Sequence, residues 1–387
     1  MRIPGFTSTA SKRPEAVFGV SDPGALPARV VRSAGCRVWD EQGREYTDYL
    51  MALGAVSLGY GHPEVNRAAV EAIEAGVVGP LPPPAEAALA ERLAETIPWI
   101  EQVRFLKTGA EAVAAAVRIA RAYTRREVVL RAGYHGWLDW CQGAEVPGVP
   151  PVVAALSEEL PFNDVDRGRS LIRLVGERLA AVVVEPVINA APHPAWLAML
   201  REECLRAGAV LVFDEIKTAF RLAVGGAAER YGVRPDLVVL GKALANGFPL
   251  AAVGGSAEVM GAAARTWISS TLATEAVALA AARAALEVTV REQVPARLAA
   301  VGARWLQGLS ELVQRYPGLL VEVRGVPEMC YPVFRSEDLG AAVAREAAAR
   351  GLLIKRSAYN FVSLAHTEEI VEASLGRLDA ACRAVGS

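Results

Sequence analysis

Three apolar stretches between residues 181 and 242 decide the fold: AVVVEP at 181–186, AVLVFD at 209–214 and DLVVLGK at 236–242. A short continuous apolar run is typical of a strand that is buried on both faces of a parallel sheet. Asp214 closes the second run, and Lys242 comes directly after the third. Ligands of open α/β sheets bind outside the carboxyl ends of the strands. We therefore expect Asp214 and Lys242 to lie at the same ligand-binding edge.

An acid and an amine in these positions suit pyridoxal phosphate (PLP). In PLP sites a lysine forms a Schiff base with the cofactor, and an aspartate pairs with the pyridinium nitrogen. An isolated ammonium at a buried strand end would be costly. Taken singly, Asp214 could cap a helix and Lys242 could be exposed. Their order, with one helix and one strand between them, favours the cofactor interpretation.

Composition and charge exclude several other classes of protein. The chain has 387 residues, of which 52% are hydrophobic and 22% charged, so we expect two domains or a large α/β unit with an appendage. The net charge of −2 does not indicate binding to nucleic acid or anionic membranes. The five cysteines show no C-x-x-C spacing, which disfavours disulfides and zinc and makes a reducing cytoplasm the simplest setting. We expect neither a signal peptide nor a membrane span.

The order of the predicted elements indicates an α/β fold with a mostly parallel central sheet covered by helices on both faces. Residues 1–30 read as an irregular arm, and strands alternate with helices up to about residue 254. One long helix is predicted over about 274–315, and the rest forms a smaller α+β domain. The expected domains are residues 1–45 (the arm and part of the small domain), 46–290 (the large PLP-binding domain) and 291–387 (the C-terminal small domain).

Other motifs are weaker when taken alone. Thr108-Gly109-Ala110 lies between a predicted strand and a predicted helix, where main-chain N–H groups bind phosphate well, although such a turn is also a common helix cap. Tyr134 could stack on a planar cofactor ring or belong to an aromatic cluster, and His135 reads as a structural histidine. Glu185 fits a salt bridge better than a substrate contact. Thr271 is a further candidate phosphate ligand.

The chain resembles the class III aminotransferases, which are fold type I PLP enzymes, and within them the glutamate-1-semialdehyde aminomutase-like branch. The resemblance covers nearly the whole chain. It is carried by the following segments: LGYGHP (58–63), TGAEA (108–112), YHG (134–136), VEP (184–186), FDEI (213–216), RPDL (234–237), LGK (240–242) and FVSLAHT (361–367).

This resemblance implies a role for each matching residue. Lys242 would bind the cofactor covalently and act as the base of the proton shift, while Asp214 would keep the pyridine nitrogen protonated. Tyr134 would stack on one face of the ring, and Ile216 would pack on the other. The phosphate would be held by Thr108, Gly109 and Ala110, with Thr271 reaching the phosphate of a neighbouring subunit. The active unit would then be a homodimer with shared sites.

Four departures from the aminomutase pattern bear on the substrate. Lys107-Thr108-Gly109-Ala110 replaces Asn-Ser-Gly-Thr, and Glu15 falls where the pattern has the arginine that binds the substrate carboxylate. Residues 273–276 (ATEA) replace Gly-Asn-Pro, and residues 356–360 (RSAYN, ending at Asn360) replace Ser-Gln-Phe/Tyr-Glu. A carboxylate at position 15 would repel a substrate carboxylate. A cationic or hydroxyl-rich substrate would suit Glu15, with Glu185 and Asn360 as further candidate contacts.

These observations predict an aminotransferase of specialised metabolism, such as antibiotic biosynthesis. It would move an amino group from an amino acid to the aldehyde or ketone of an amino sugar, a cyclitol or a similar polar compound. A PLP-dependent aminomutase or epimerase remains open, with Cys141, Tyr134 or His135 as the second acid–base group of an epimerase. A catalytically idle scaffold is a third alternative, and the joint presence of Lys242 and Asp214 argues against it.

Overall fold

The computed structural model describes residues 2–386, which divide into two compact units, 2–62 with 296–386 and 63–295. In the unit 63–295 a seven-stranded sheet has the order β4-β10-β9-β8-β7-β5-β6. Strand β10 runs antiparallel to both of its neighbours, and the pairings from β9 to β6 are all parallel. The strands are β4 (Gln102–Leu106), β5 (Val128–Ala132), β6 (Ser157–Glu159), β7 (Leu179–Val184), β8 (Val210–Asp214), β9 (Leu237–Leu240) and β10 (Ala251–Gly255).

Helices cover both faces of this sheet, as the sequence predicts. Every residue of β7, β8 and β9 is buried, and alternate side chains of each strand join different core clusters. Val183 and Val212 pack with the apolar face of α5, whereas Val182 and Leu211 pack with α8. The helices of this unit are α3 (Pro63–Ala75), α4 (Pro84–Thr96), α5 (Gly109–Thr124), α6 (Pro151–Ala154), α7 (Val165–Val175), α8 (Pro194–Ala207), α9 (Gly226–Tyr231), α10 (Ala257–Met260) and α11 (Ala276–Arg291).

The other unit contains two smaller sheets, with the orders β1-β2-β3-β13 and β11-β12-β14. Its strands are β1 (Val30–Ala34), β2 (Arg37–Asp40), β3 (Glu45–Asp48), β11 (Leu320–Val326), β12 (Met329–Phe334), β13 (Leu352–Leu353) and β14 (Asn360–Phe361). Its helices are α1 (Pro14–Phe18), α2 (Met51–Gly54), α13 (Glu337–Ala349) and α14 (Glu368–Gly386), and α12 (Val294–Arg315) begins at the boundary. Residues 46–62 belong to this unit because β3 pairs with β2 and β13.

Two local expectations were wrong. The arm 1–30 is not wholly irregular, because Ala10–Lys12 forms a 3₁₀ turn and Pro14–Phe18 forms α1. The long helix expected over 274–315 is broken into α11 and α12. Gln293 lies between them with φ of 50°, and Pro295 follows within the first turn of α12, where a missing N–H group is tolerated. None of the described helices is both long and apolar enough to cross a membrane.

Candidate cofactor site

Asp214 and Lys242 lie at the carboxyl ends of neighbouring strands, as predicted. Asp214 is the last residue of β8, is 3% exposed, and pairs with Val239 of the parallel strand β9. Lys242 starts a 3₁₀ turn immediately after β9 and Gly241, with a left-handed φ of 45°. Because β8 and β9 are parallel, the acid and the amine share one edge of the sheet.

A buried histidine orients Asp214. The Nδ1 atom of His135 lies 2.8 Å from Oδ2 of Asp214, and the main-chain N–H of Ile216 donates to Oδ1 at 3.2 Å. His135 is 3% exposed, and its Nε2 atom has no hydrogen-bond partner among residues 2–386. The sequence alone suggested only a structural role for His135; its place after β5, beside Tyr134, was the signal that could have linked it to Asp214.

The surroundings of Lys242 disfavour its charged form. Burial, followed by the positive charge of Lys217, lowers the pKa of Lys242 from 10.5 to about 8. The carboxylates of Glu185 and Asp214 act in the opposite direction. A neutral amine is therefore more accessible here than on an ordinary lysine.

Glu185 forms an ion pair, which is the interpretation that the sequence favoured. Its Oε2 atom lies 2.5 Å from Nζ of Lys217, and its Oε1 atom accepts the main-chain N–H of Tyr134 at 2.6 Å. Gly133 has φ of 105°, and a Cβ atom there would lie 2.7 Å from Cγ of Glu185. Glu185 thus ties the segment after β5 to the segment after β8, and both of its oxygens are engaged.

Tyr134 and Ile216 differ in exposure. Tyr134 is 73% exposed, so its ring is accessible to a planar ligand. Ile216 is half-buried against two glycines: a Cβ atom on Gly109 would lie 2.6 Å from its Cδ1 atom, and one on Gly241 would lie 3.5 Å from its Cγ1 atom. The absence of a side chain at Gly109 lets Ile216 pack against the turn that begins α5, and at Gly241 the contact would be an ordinary van der Waals one.

The turn at residues 108–110 begins helix α5 with a capping box. Thr108 accepts the N–H of Glu111 at 3.3 Å, and Glu111 accepts the N–H of Thr108 at 2.9 Å and its hydroxyl at 3.1 Å. The first N–H groups of a helix have no intrahelical partner. No bond to the N–H of Gly109 or Ala110 is found within residues 2–386, so these two groups are the donors available to an anion.

Two of the four departures from the aminomutase pattern meet in the structure. Nζ of Lys107 lies 2.6 Å from Oε1 of Glu275, and both side chains are largely buried. Thr271 is exposed in the turn that precedes Glu275. Sequence reasoning noted both departures but not their contact.

The remaining candidates, Glu15 and Asn360, belong to the unit 2–62 with 296–386. Glu15 is exposed on α1, and its carboxylate has no partner among the described residues. Asn360 is buried, and its side-chain amide forms two hydrogen bonds with the main chain of Lys355. Its Oδ1 atom accepts the N–H of Lys355 at 2.7 Å, and its Nδ2 atom donates to the carbonyl of Lys355 at 3.0 Å. These two hydrogen bonds hold the ends of the segment 355–360 together.

The model of the aminotransferase class-III family matches residues 20–378. The chain belongs to this family. It is 36% identical to the glutamate-1-semialdehyde 2,1-aminomutase of Pyrobaculum neutrophilum, over 96% of this chain and 97% of that protein. The PLP internal aldimine form of the Sphingopyxis sp. MTA144 FumI protein is similar at a TM-score of 0.92, with 28% identity over 99% of this chain and 94% of that one. The structure of an omega-transaminase from Sphaerobacter thermophilus is similar at a TM-score of 0.85. The two sequences are 29% identical over 100% of this chain and 99% of that one.

The class III aminotransferases are PLP enzymes, and the residues present fit this cofactor. Asp214 and Lys242, at the ends of adjacent parallel strands, supply the acid and the amine that PLP requires. The free N–H groups of Gly109 and Ala110 suit its phosphate. The protein is therefore a PLP-dependent aminotransferase with the fold type I architecture.

Proposed function

We propose that this enzyme moves an amino group from an amino acid donor to the aldehyde or ketone of a polar metabolite, such as an amino sugar or a cyclitol. The observation that carries the proposal is the placement of Asp214 and Lys242 at adjacent parallel strand ends, with a lowered pKa at Lys242. An amine that titrates near neutral pH can both accept and return a proton.

The chain offers a group for each part of the cofactor. Asp214 would hold the ring nitrogen protonated, with His135 fixing the carboxylate, and Tyr134 and Ile216 would lie against the two ring faces. The phosphate would be held by Gly109 and Ala110 together with Thr108, and by Thr271 of the partner subunit in a homodimer with shared sites. When bound, PLP supplies an electron-withdrawing ring that makes the carbon bearing the amine acidic.

Lys242 would carry the proton of the reaction on Nζ. With a pKa of about 8, roughly a tenth of this amine is neutral at pH 7, compared with less than about one part in a thousand at the ordinary value. The neutral amine would accept the proton from the carbon that bears the donor amine, and the resulting ammonium would deliver it to the cofactor carbon. The negative charge of Glu185 limits how far the pKa of Lys242 falls.

Glu15 supports a substrate without a carboxylate at the corresponding position. Its exposed carboxylate could accept a hydrogen bond from an amine or a hydroxyl group, and would repel a carboxylate. Glu185 and Asn360 are less suited to contact substrate, because their polar atoms are already engaged. The proposed specificity therefore depends on Glu15.

An aminomutase is the second candidate, because relatives that are 34–36% identical over most of the chain carry that name. An epimerase is less favoured. Its second acid–base group would have to come from a residue such as Cys141, but burial raises the pKa of this thiol and its S–H donates to the carbonyl of Leu138.

A donor test separates these functions. The purified enzyme with PLP is assayed with glutamate and a panel of aldehyde and ketone sugars, and separately with glutamate 1-semialdehyde alone. Donor-dependent formation of an aminated sugar or cyclitol, with one keto acid released for each amine formed, is expected. Turnover of the semialdehyde without a donor, together with no amination of any acceptor, would favour the aminomutase.

A further inference from the structure

The side chain of Lys107 joins three segments of the unit 63–295. Its Nζ atom donates to the carbonyl of Pro249 at 3.1 Å and lies 2.6 Å from Oε1 of Glu275. Lys107 directly precedes Thr108, which begins the turn proposed to bind phosphate. Pro249 lies in the loop between the 3₁₀ turn of Lys242 and strand β10.

Glu275 also forms hydrogen bonds besides its ion pair with Lys107. It is the N-cap of α11, where its carboxylate accepts the N–H of Val277 at 2.8 Å and that of Ala278 at 3.0 Å. The side chains of Lys107 and Glu275 are only 14% and 10% exposed. Removing one member of such a pair leaves the other charge largely buried without its counter-ion, which is unfavourable.

We infer that Lys107 and Glu275 are positioning residues for the cofactor phosphate: their ion pair fixes the turn 108–110 relative to the loop that carries Thr271. Neither side chain has to touch the phosphate. The pair acts by holding the N–H groups of Gly109 and Ala110 in place, so that little ordering is needed when the phosphate binds. This inference rests on the phosphate site proposed above.

The test compares PLP with pyridoxal, which lacks the phosphate. Dissociation constants of both compounds are measured on the cofactor-free protein by fluorescence titration, for the wild type and for Lys107→Met, Lys107→Arg and Glu275→Gln. Lys107→Met and Glu275→Gln should weaken PLP binding about tenfold and leave pyridoxal binding nearly unchanged, whereas Lys107→Arg should retain most of the affinity. The double variant Lys107→Met/Glu275→Gln should lose little more than either single one.

A control is the Arg92–Glu287 ion pair, which joins α4 to α11 with an N–O distance of 2.8 Å and is more exposed, at 27% and 45%. Arg92→Met should leave the preference for PLP over pyridoxal unchanged. An unchanged preference in both Lys107→Met and Glu275→Gln would overturn the inference, as would an equal loss in Arg92→Met. If the wild type itself bound PLP no better than pyridoxal, the proposed phosphate site would be wrong instead.

Discussion

Replacing Lys242 by methionine should stabilise the cofactor-free protein at neutral pH. Lys242 is largely buried, and its pKa is lowered from 10.5 to about 8. A lowered lysine pKa means that the folded state holds the proton less tightly than the unfolded state. The charged amine is therefore a cost to folding that methionine, with a similar length and no charge, would remove.

The magnitude and its pH dependence follow from the two pKa values. Below pH 8 Lys242 is protonated in both the folded and the unfolded state, and the full cost set by pKa values of about 8 and 10.5 applies, about 3 kcal/mol. Between pH 8 and 10.5 the folded protein loses the proton first, so wild-type stability rises with pH and the advantage of methionine shrinks. The gain in stability from methionine should be about 2 kcal/mol at pH 9 and less than about 0.5 kcal/mol at pH 10.5.

Urea unfolding of cofactor-free wild type and Lys242→Met at pH 7 and pH 9 measures this difference. Lys12→Met, which replaces an exposed lysine, serves as the control and should change stability by less than about 0.5 kcal/mol at either pH. A destabilised Lys242→Met, or a gain equal at the two pH values, would refute the electrostatic account of Lys242.

Three further outcomes are expected. Lys217→Met should raise the pKa of Lys242, so the rate of PLP incorporation, followed by visible absorption, should level off at a higher pH than in the wild type; an unchanged profile would contradict the role given to Lys217. Asp214→Asn should lower kcat by at least about a hundredfold while the protein still binds PLP covalently through Lys242, which steady-state assays and mass spectrometry would show together. Glu15→Gln should raise KM for a cationic acceptor with little change in kcat; an unaltered KM would remove Glu15 from the substrate site.

Local sequence patterns were enough to predict most elements of the fold. The alternation of strands and helices up to about residue 254 predicted the helix-covered parallel sheet of the unit 63–295. The apolar runs likewise predicted the buried strands β7, β8 and β9. The break between α11 and α12 was missed, although Pro295 was visible, because the apolar periodicity continues on both sides of it.

The site was only partly predictable. The sequence shows that Asp214 ends one buried strand and that Lys242 follows the next. Their position at the same edge of a parallel sheet could therefore be predicted. Their partners depend on contacts between distant residues: His135 reaches Asp214 across 79 positions, and Lys107 reaches Glu275 across 168. No local pattern specifies such pairs, because they arise from the packing of whole elements against one another.

The most direct test of the central claim is the visible spectrum of the purified protein with PLP, recorded before and after adding glutamate and other amino acids, with Lys242→Ala in parallel. We predict that at least one amino acid converts the wild-type cofactor to its pyridoxamine form with release of one keto acid, and that Lys242→Ala does not turn over. A wild-type spectrum that no amino donor changes, or turnover that persists in Lys242→Ala, would contradict the assignment.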